Sequence, residues 1–225
     1  MKVFVTGGNG FLGSRTVHEL VRKGYEVRCL LRATSKTERI RGLSYETHLG
    51  DILDQKSLLS GAQGCDAIIH LACISSWTQI RAQANRLEEI AVEGTRNVLE
   101  AALQNKIPRT LHVSSSVAIN ASTEPVIFDE HSKYELQDSG LHYSIAKFRA
   151  EQVVREYADV RGLNVTTVNP CEIYGPNDED LVTASNLLAV LKGSPSLVCH
   201  GGTSVAHVDD IARGMTRPER PNTAE

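Results

Sequence analysis

Tyr143 and Lys147 carry the side chains in this sequence best suited to proton chemistry. They open a predicted helix that starts Tyr143-Ser144-Ile145-Ala146-Lys147 and runs to about Arg161, so a spacing of four sets phenol and ammonium one turn apart on one face. A phenol ionises near pH 10 and alone exchanges protons sluggishly at neutrality. A neighbouring ammonium favours the phenolate and can lower that value by roughly 1–3 units. The pair can therefore give or take a proton for a carbonyl/alcohol couple. Y-x-x-x-K alone is common on helices and reads equally well as an ordinary surface pair. Val113-Ser114-Ser115-Ser116 sharpens it, because those hydroxyls end a predicted buried strand. In an open parallel sheet, ligands sit outside the carboxyl ends of the strands, where serines can bond a substrate carbonyl. Without that placement, three serines are only a polar loop.

A second constellation lies at the start of the chain, where Thr6-Gly7-Gly8-Asn9-Gly10-Phe11-Leu12-Gly13 joins a strand to a helix. Gly7 permits a tight turn, Gly10 lets backbone approach a pyrophosphate, and Gly13 lets helix pack closely on strand. The free N–H groups at the helix start, including those of Phe11 and Leu12, then face the phosphates. A glycine triplet in isolation is weak evidence. Here the strand before it, the helix after it and a second strand at the right distance make Met1 to about Arg32 a dinucleotide-binding βαβ unit. The end of that second strand reads the adenosine ribose, and an acidic residue there selects NAD. This chain has Leu31 and then Arg32, with Arg28, Lys36, Arg39 and Arg41 nearby and only Glu38 opposing them. An arginine there suits a 2′-phosphate, so NADP(H) is favoured and NAD(H) remains the alternative. The same residues also read as a solvated basic loop.

Short apolar runs must position these loops. Val3–Val5, Val27–Leu31, Ala67–Leu71, Thr110–Val113 and Val165–Val168 read as buried strands, and Glu46–Leu49 as a weaker one. Leu12–Arg22 and Leu87–Leu103 carry apolar residues on one helical face, Gly24 stops the first helix, and a short helix is expected near Gln55–Ser60. Strands separated by helices predict an α/β fold, a doubly wound parallel sheet of Rossmann type. A single domain is expected over residues 1–215, with part of a substrate region at about 175–215 and a frayed tail at 216–225.

Composition excludes several classes. The net charge of −3 gives no reason to expect nucleic acid or an anionic membrane as partner. No apolar stretch reaches the roughly 20 residues of a membrane span, and Val3-Phe4-Val5 meets glycine too soon for a signal peptide. Five scattered cysteines without a C-x-x-C pair argue against a disulfide framework or zinc site, and the histidines show no metal spacing, so no metal and a reducing, cytoplasmic setting are expected. His70 and His112 lie in apolar strands and read as packed core residues rather than catalysts, while Trp77 is a pocket wall or a loop anchor.

Taken in order, these motifs resemble the extended branch of the short-chain dehydrogenase/reductase superfamily, which includes NAD-dependent epimerase/dehydratase and dihydroflavonol-reductase-like proteins. Beyond the glycine loop, the matches are Gly50-Asp51-Ile52, Asp66 to Ala72, Val92 to Asn97, Ser114–Ser116, Tyr143 with Lys147, Asn169 to Pro176, and His207-Val208-Asp209-Asp210. The resemblance implies that Asp51 and Ile52 flank an adenine, and that Leu71, Ala72 and Cys73 line the pyrophosphate and ribose, with Asn9 in the glycine loop. Tyr143 would be the acid/base, Lys147 would hold the nicotinamide ribose, and Ser116 would polarise the substrate carbonyl. Ser114, and Pro170 onward to Ile173, would border the nicotinamide. Two departures stand out. Ala91 occupies the place of the asparagine that usually precedes V-E-G-T, and the family continues well past the V-D-D motif, so the substrate lobe reads as truncated. The helices Leu87–Leu103 and Ser144–Tyr157 resemble those that pair between subunits, but core-facing stripes give the same pattern, which leaves a homodimer open. The leading expectation is an NAD(P)(H)-dependent oxidoreductase acting on a small-molecule carbonyl or secondary alcohol. A nucleotide-sugar epimerase or dehydratase and a non-catalytic dinucleotide-binding module are the alternatives.

Overall fold

Parallel strands β1 (Lys2–Thr6), β2 (Glu26–Leu31), β3 (Glu46–Leu49), β4 (Ala67–His70), β5 (Thr110–Val113) and β6 (Val165–Val168) form one six-stranded sheet in the order β3-β2-β1-β4-β5-β6. The computed structural model describes residues 1–75, 84–180, 183–193 and 201–217. Helices α1 (Phe11–Arg22), α2 (Gln55–Ala62), α3 (Ala84–Gln104) and α4 (His142–Arg155) connect the strands. The strand order reverses between β1 and β4, which opens a crevice at their carboxyl ends. The expected doubly wound sheet is therefore the observed one, and β3, β5 and β6 match their expected bounds.

β1 is central, so both faces are covered and its residues are apolar throughout rather than alternating. Phe4 joins Leu58, Ile68, Leu99 and Val153 on one side of the sheet. Val3 and Val5 join Val17, Leu31 and Ile69 on the other. α1 ends where expected, with Gly24 at φ +79° just beyond Lys23. The predicted long helix from Tyr143 is α-helical only to Arg155 and finishes as a π turn over Glu156–Val160. There the Leu163 amide bonds the Tyr157 carbonyl and Gly162 takes φ +70°.

Four further elements follow that short-range patterning did not reveal. β7 (Glu172–Tyr174) and β8 (Val205–His207) pair in parallel as a separate two-stranded sheet, and α5 (Ala184–Leu191) lies between them in sequence. The last helix, α6 (Val208–Met215), packs on α1 through the Arg15–Asp209 ion pair at 2.5 Å. Lys23 Nζ donates to both Thr216 oxygens, and Thr216 itself is buried. Residues 218–225 and Trp77 lie outside the described residues. Among the described residues, no helix is long and apolar enough to cross a membrane and no cluster of metal-ligating side chains occurs.

Candidate active site

The glycine turn has the geometry its sequence implies. Gly7 sits at φ +74°, and a Cβ there would lie 2.7 Å from the Ala72 amide nitrogen. A Cβ on Gly13 would run into the Gly7 carbonyl, so that glycine is what lets α1 start against the turn. Gly10 caps α1 in extended conformation, with no side-chain cap bond and no acidic residue in the first turn. Among the described residues, no side chain caps the positive end of α1, which follows the carboxyl end of β1. Gly7→Ala is expected to cost about 1–2 kcal/mol from the left-handed backbone alone. Shifting the turn away from Ala72 should also weaken dinucleotide binding at least about tenfold. Chemical denaturation and a fluorescence titration with NADPH measure the two effects.

Asn9 Nδ2 donates to the Lys36 carbonyl at 2.9 Å, tying the loop after β2 to the glycine turn. That loop presents Arg32 exposed, with its backbone closed by Ser35 through reciprocal bonds. The basic surroundings are thinner than the sequence suggests. Arg28 is committed to Glu46 and to the carbonyls of Gly61 and Gln63. Arg39 turns away to Asp180 and the Asn177 carbonyl. The Asp51 carboxylate accepts the Leu53 amide at the end of the neighbouring strand. Ile52 is buried and packed on Gly94 of α3.

Across the crevice, α4 delivers Tyr143 and Lys147 to the end of β5. Its first turn is fixed by Ser144, whose hydroxyl donates to the Val117 carbonyl at 2.8 Å and receives Tyr134, which stacks on Phe148. Lys147 is buried and donates from Nζ to the Val113 carbonyl at 2.9 Å. Cys73, which the resemblance placed along the dinucleotide path, is among the groups that act on its charge. Burial alone would lower the Lys147 pKa, but Cys73, Tyr143 and Glu151 together raise it, so the ammonium persists. The expected depression of the phenol is reversed. Burial raises the Tyr143 pKa by more than Lys147 and a Ser115 hydrogen bond lower it, and Cys73 adds to the rise. The phenol is held protonated, the form that donates to a carbonyl.

Ser115 is among the groups that favour the phenolate, while the resemblance gives Ser116 to the substrate carbonyl. Ser116 starts a short 3-10 turn and bonds the Pro170 carbonyl through its amide. Ser114 is buried on the face of β5 shared with His112, and its hydroxyl has no partner among the described residues. Ile173 lies in β7 and is half-buried, its carbonyl accepting the Thr183 hydroxyl. Leu71 packs at the margin of the core, its amide on the Thr6 carbonyl.

Ala91 is buried in the contact of α3 with Ala146 and Ala150 of α4, so a methyl group stands where an asparagine amide was expected. Its carbonyl accepts the Thr95 hydroxyl, which leaves Thr95 to accept from His70 Nε2 at 3.2 Å. His70 Nδ1 then faces the Thr6 hydroxyl at 2.7 Å, and burial favours the neutral ring. Both histidines are core residues, as their strand context implied. Glu151 and Asn169, joined at 2.6 Å behind Lys147, were not singled out from sequence. Glu151 falls one further turn along the face that carries Lys147, a spacing that could have flagged it.

A reversed strand order, a glycine-cornered turn under an uncapped helix end and a tyrosine–lysine pair across the crevice define a class, the Rossmann proteins of extended short-chain dehydrogenase/reductase type. The chain belongs to the NAD dependent epimerase/dehydratase family, whose model matches residues 3–218. Among curated relatives, 4-hydroxy-2-methyl-3-oxo-4-farnesyl-3,4-dihydroquinoline-1-oxide ketoreductase of Stigmatella aurantiaca is 31% identical, covering 96% of this chain and 63% of its own. Cinnamoyl-CoA reductase 1 of Oryza sativa subsp. japonica is 34% identical, covering 96% of this chain and 68% of the relative. Among solved structures, gox2253 superposes with a TM-score of 0.87 at 30% identity, covering 94% of this chain and 64% of that one. The dTDP-glucose 4,6-dehydratase DesIV of Streptomyces venezuelae, solved with NAD, follows at 0.83 and 28%, covering 96% and 70%. The chain thus spans less than two thirds of the ketoreductase and of gox2253.

Proposed function

We propose that this chain is a carbonyl reductase that uses a nicotinamide dinucleotide, with NADPH preferred. The observation that carries the reading is Tyr143 one helical turn from a buried Lys147 whose Nζ bonds the Val113 carbonyl at the carboxyl end of β5, across the crevice from the glycine turn. Reductases among the relatives, including the ketoreductase and the cinnamoyl-CoA reductase, support a carbonyl substrate. A bound dinucleotide would supply the hydride. The chain's own part is to seat the pyrophosphate on the start of α1, orient the nicotinamide ribose through Lys147, and pass the phenol proton to the carbonyl oxygen as it becomes an alcohol. Ser114 and Ser116 border the substrate side. Screening aldehydes, ketones and acyl-CoA thioesters for substrate-dependent NADPH oxidation tests the reading. If nothing in that panel oxidises NADPH, the reading falls.

The preference for NADPH rests on Arg32, exposed at the end of β2 where the adenosine ribose would lie, with Lys36 close by on the loop that Asn9 pins. A guanidinium pairs with a 2′-phosphate through two parallel hydrogen bonds, and such charged pairs contribute about 1.5–3 kcal/mol. Arg32→Ala should therefore weaken NADPH roughly ten- to a hundred-fold and change NADH little. Calorimetry with both cofactors on both proteins measures this. Equal wild-type affinity for the two would remove Arg32 from the account.

A further inference from the structure

The loop after β2 is tied to two distant parts of the chain. At the glycine turn, Asn9 Nδ2 donates to the Lys36 carbonyl at 2.9 Å. Further along, the loop makes a 3-10 turn over Glu38–Ile40, and Ile40 anchors that turn in the core with Val17 and Leu31. Arg39 on the same turn reaches residues 138 and 141 positions later in the chain. Its Nε donates to the Asn177 carbonyl at 3.1 Å and its Nη2 to Asp180 Oδ2 at 3.0 Å. The Arg39 side chain is only 10% exposed, although the Asp180 carboxylate it holds lies mostly in solvent. An exposed ion pair contributes little. Here a nearly buried guanidinium also bonds backbone, which fixes its direction.

The two residues that Arg39 holds flank Asp178. That carboxylate is buried, and its Oδ2 accepts the amides of Thr183 and Ala184, each at 2.9 Å. The Thr183 hydroxyl in turn donates to the Ile173 carbonyl of β7 at 2.6 Å. These contacts start α5, which has little else to hold it. None of its eight residues is buried. A helix that short does not persist on local bonds alone, so its order depends on the cap. β7 leaves the carboxyl end of β6 after only residues 169–171, at the edge of the sheet where Lys147 meets β5. Arg39 therefore joins the loop beside the glycine turn to a segment that starts beside the tyrosine–lysine pair.

We propose that Arg39 is a positioning residue that couples the two sides of the crevice: its hold on Asn177 and Asp180 sets Asp178 to cap α5, so a dinucleotide that steadies the loop after β2 also steadies α5. This deepens the reductase reading and rests on it for dinucleotide binding at the glycine turn. Coupling of this kind is reciprocal, so loosening the loop from the Asp180 end weakens the dinucleotide.

The test is amide hydrogen exchange in α5, read by mass spectrometry on the free and the NADPH-saturated protein, with a fluorescence titration of NADPH alongside. In the free protein, Arg39→Met should speed α5 exchange about threefold. Saturating NADPH should slow α5 exchange in wild type and leave it unchanged in Arg39→Met. Arg39→Lys keeps the charge but cannot span both acceptors, and should recover part of the NADPH effect. Glu179→Gln/Asp180→Asn removes both carboxylates near the guanidinium and should weaken NADPH about two- to fivefold, as Arg39→Met does. Combining the two changes should weaken it no further, because both break one contact. The carboxylate variant also separates this role from a direct bond between Arg39 and the 2′-phosphate. Freeing the guanidinium for such a bond would tighten NADPH instead. Three results overturn the proposal: α5 exchange unmoved in Arg39→Met, an undiminished NADPH effect in that variant, or tighter NADPH in the carboxylate variant. A failed coupling with NADPH still bound leaves the reductase reading standing. A wild type that binds neither NADPH nor NADH overturns the dinucleotide reading and the coupling with it.

Discussion

Tyr143→Phe is expected to lower turnover with any accepted carbonyl by about 10²–10⁴-fold, the range a positioned general acid contributes. The substitution keeps the ring and its packing against the α3–α4 contact, and removes only the hydroxyl. NADPH affinity should stay within about threefold, since the glycine turn and Arg32 stand across the crevice and gain or lose no contact. A fall in kcat without a fall in binding is the signature of an interaction made during proton transfer. The pH dependence follows from the direction of the phenol's shift. Its pKa lies above 10 because burial outweighs the ammonium, so the donor form is fully populated through neutrality. Reduction should therefore be flat with pH around 7 and decline only on the alkaline side as the phenol ionises. Stopped-flow single turnovers on both proteins measure this. A variant that keeps a tenth or more of wild-type kcat would show that the proton comes from elsewhere.

Much of this architecture is legible in the chain because its information is local. Thr110–Val113 and Val165–Val168 are β-branched and apolar because both faces of an interior parallel strand are buried, and they match the observed strands residue for residue. Gly7, Gly13 and Gly24 sit where backbone geometry admits little else. What stayed hidden depends on contacts between residues far apart. Arg28 and Arg39 look like part of a phosphate-binding group in sequence, yet residues 18 and 141 positions away take them. Asn169, 54 residues after Ser115, is the residue whose side chain bonds the Ser115 carbonyl. β7 and β8 are three residues each, too short for a periodic signal, and they pair across more than thirty residues of chain. Ala91 was legible as a departure from a pattern, and only the α3–α4 packing shows why a methyl group suits the place.

Folding stability should fall steeply between pH 7 and pH 5, at up to about 1.4 kcal/mol per pH unit for each of two histidines. His70 and His112 lie side by side on β4 and β5, ring centroids 5.5 Å apart, both 2% exposed. Burial pushes the His70 pKa down to about 3, with the Lys147 ammonium adding to it. Burial likewise takes His112 well below 6.5, reinforced by His70 and Lys147. The sign follows directly. Below about 6.5 the unfolded chain binds a proton at each ring while the native protein does not, so the unfolded state is favoured as pH falls. Stability is complete above 6.5 and is lost continuously toward the native pKa of His70 near 3. The window from 7 to 5 isolates the histidines, because carboxylates such as Glu100, lowered to about 2 chiefly by its Arg161 hydrogen bond, contribute only below their ordinary value of 4.5. The two rings differ in one useful respect. His70 is bonded at both nitrogens, to the hydroxyls of Thr6 and Thr95, whereas both His112 nitrogens are buried without a partner among the described residues. Replacing His112 with leucine therefore removes no hydrogen bond from the core, and should leave stability at pH 7.5 equal or higher while halving the slope below 6.5. Urea denaturation at half-unit steps of pH gives both slopes. Parallel curves for wild type and His112→Leu would mean that His112 takes up its proton in the native state, and would place a charge beside Lys147 that the packing of β5 against α4 gives no way to stabilise.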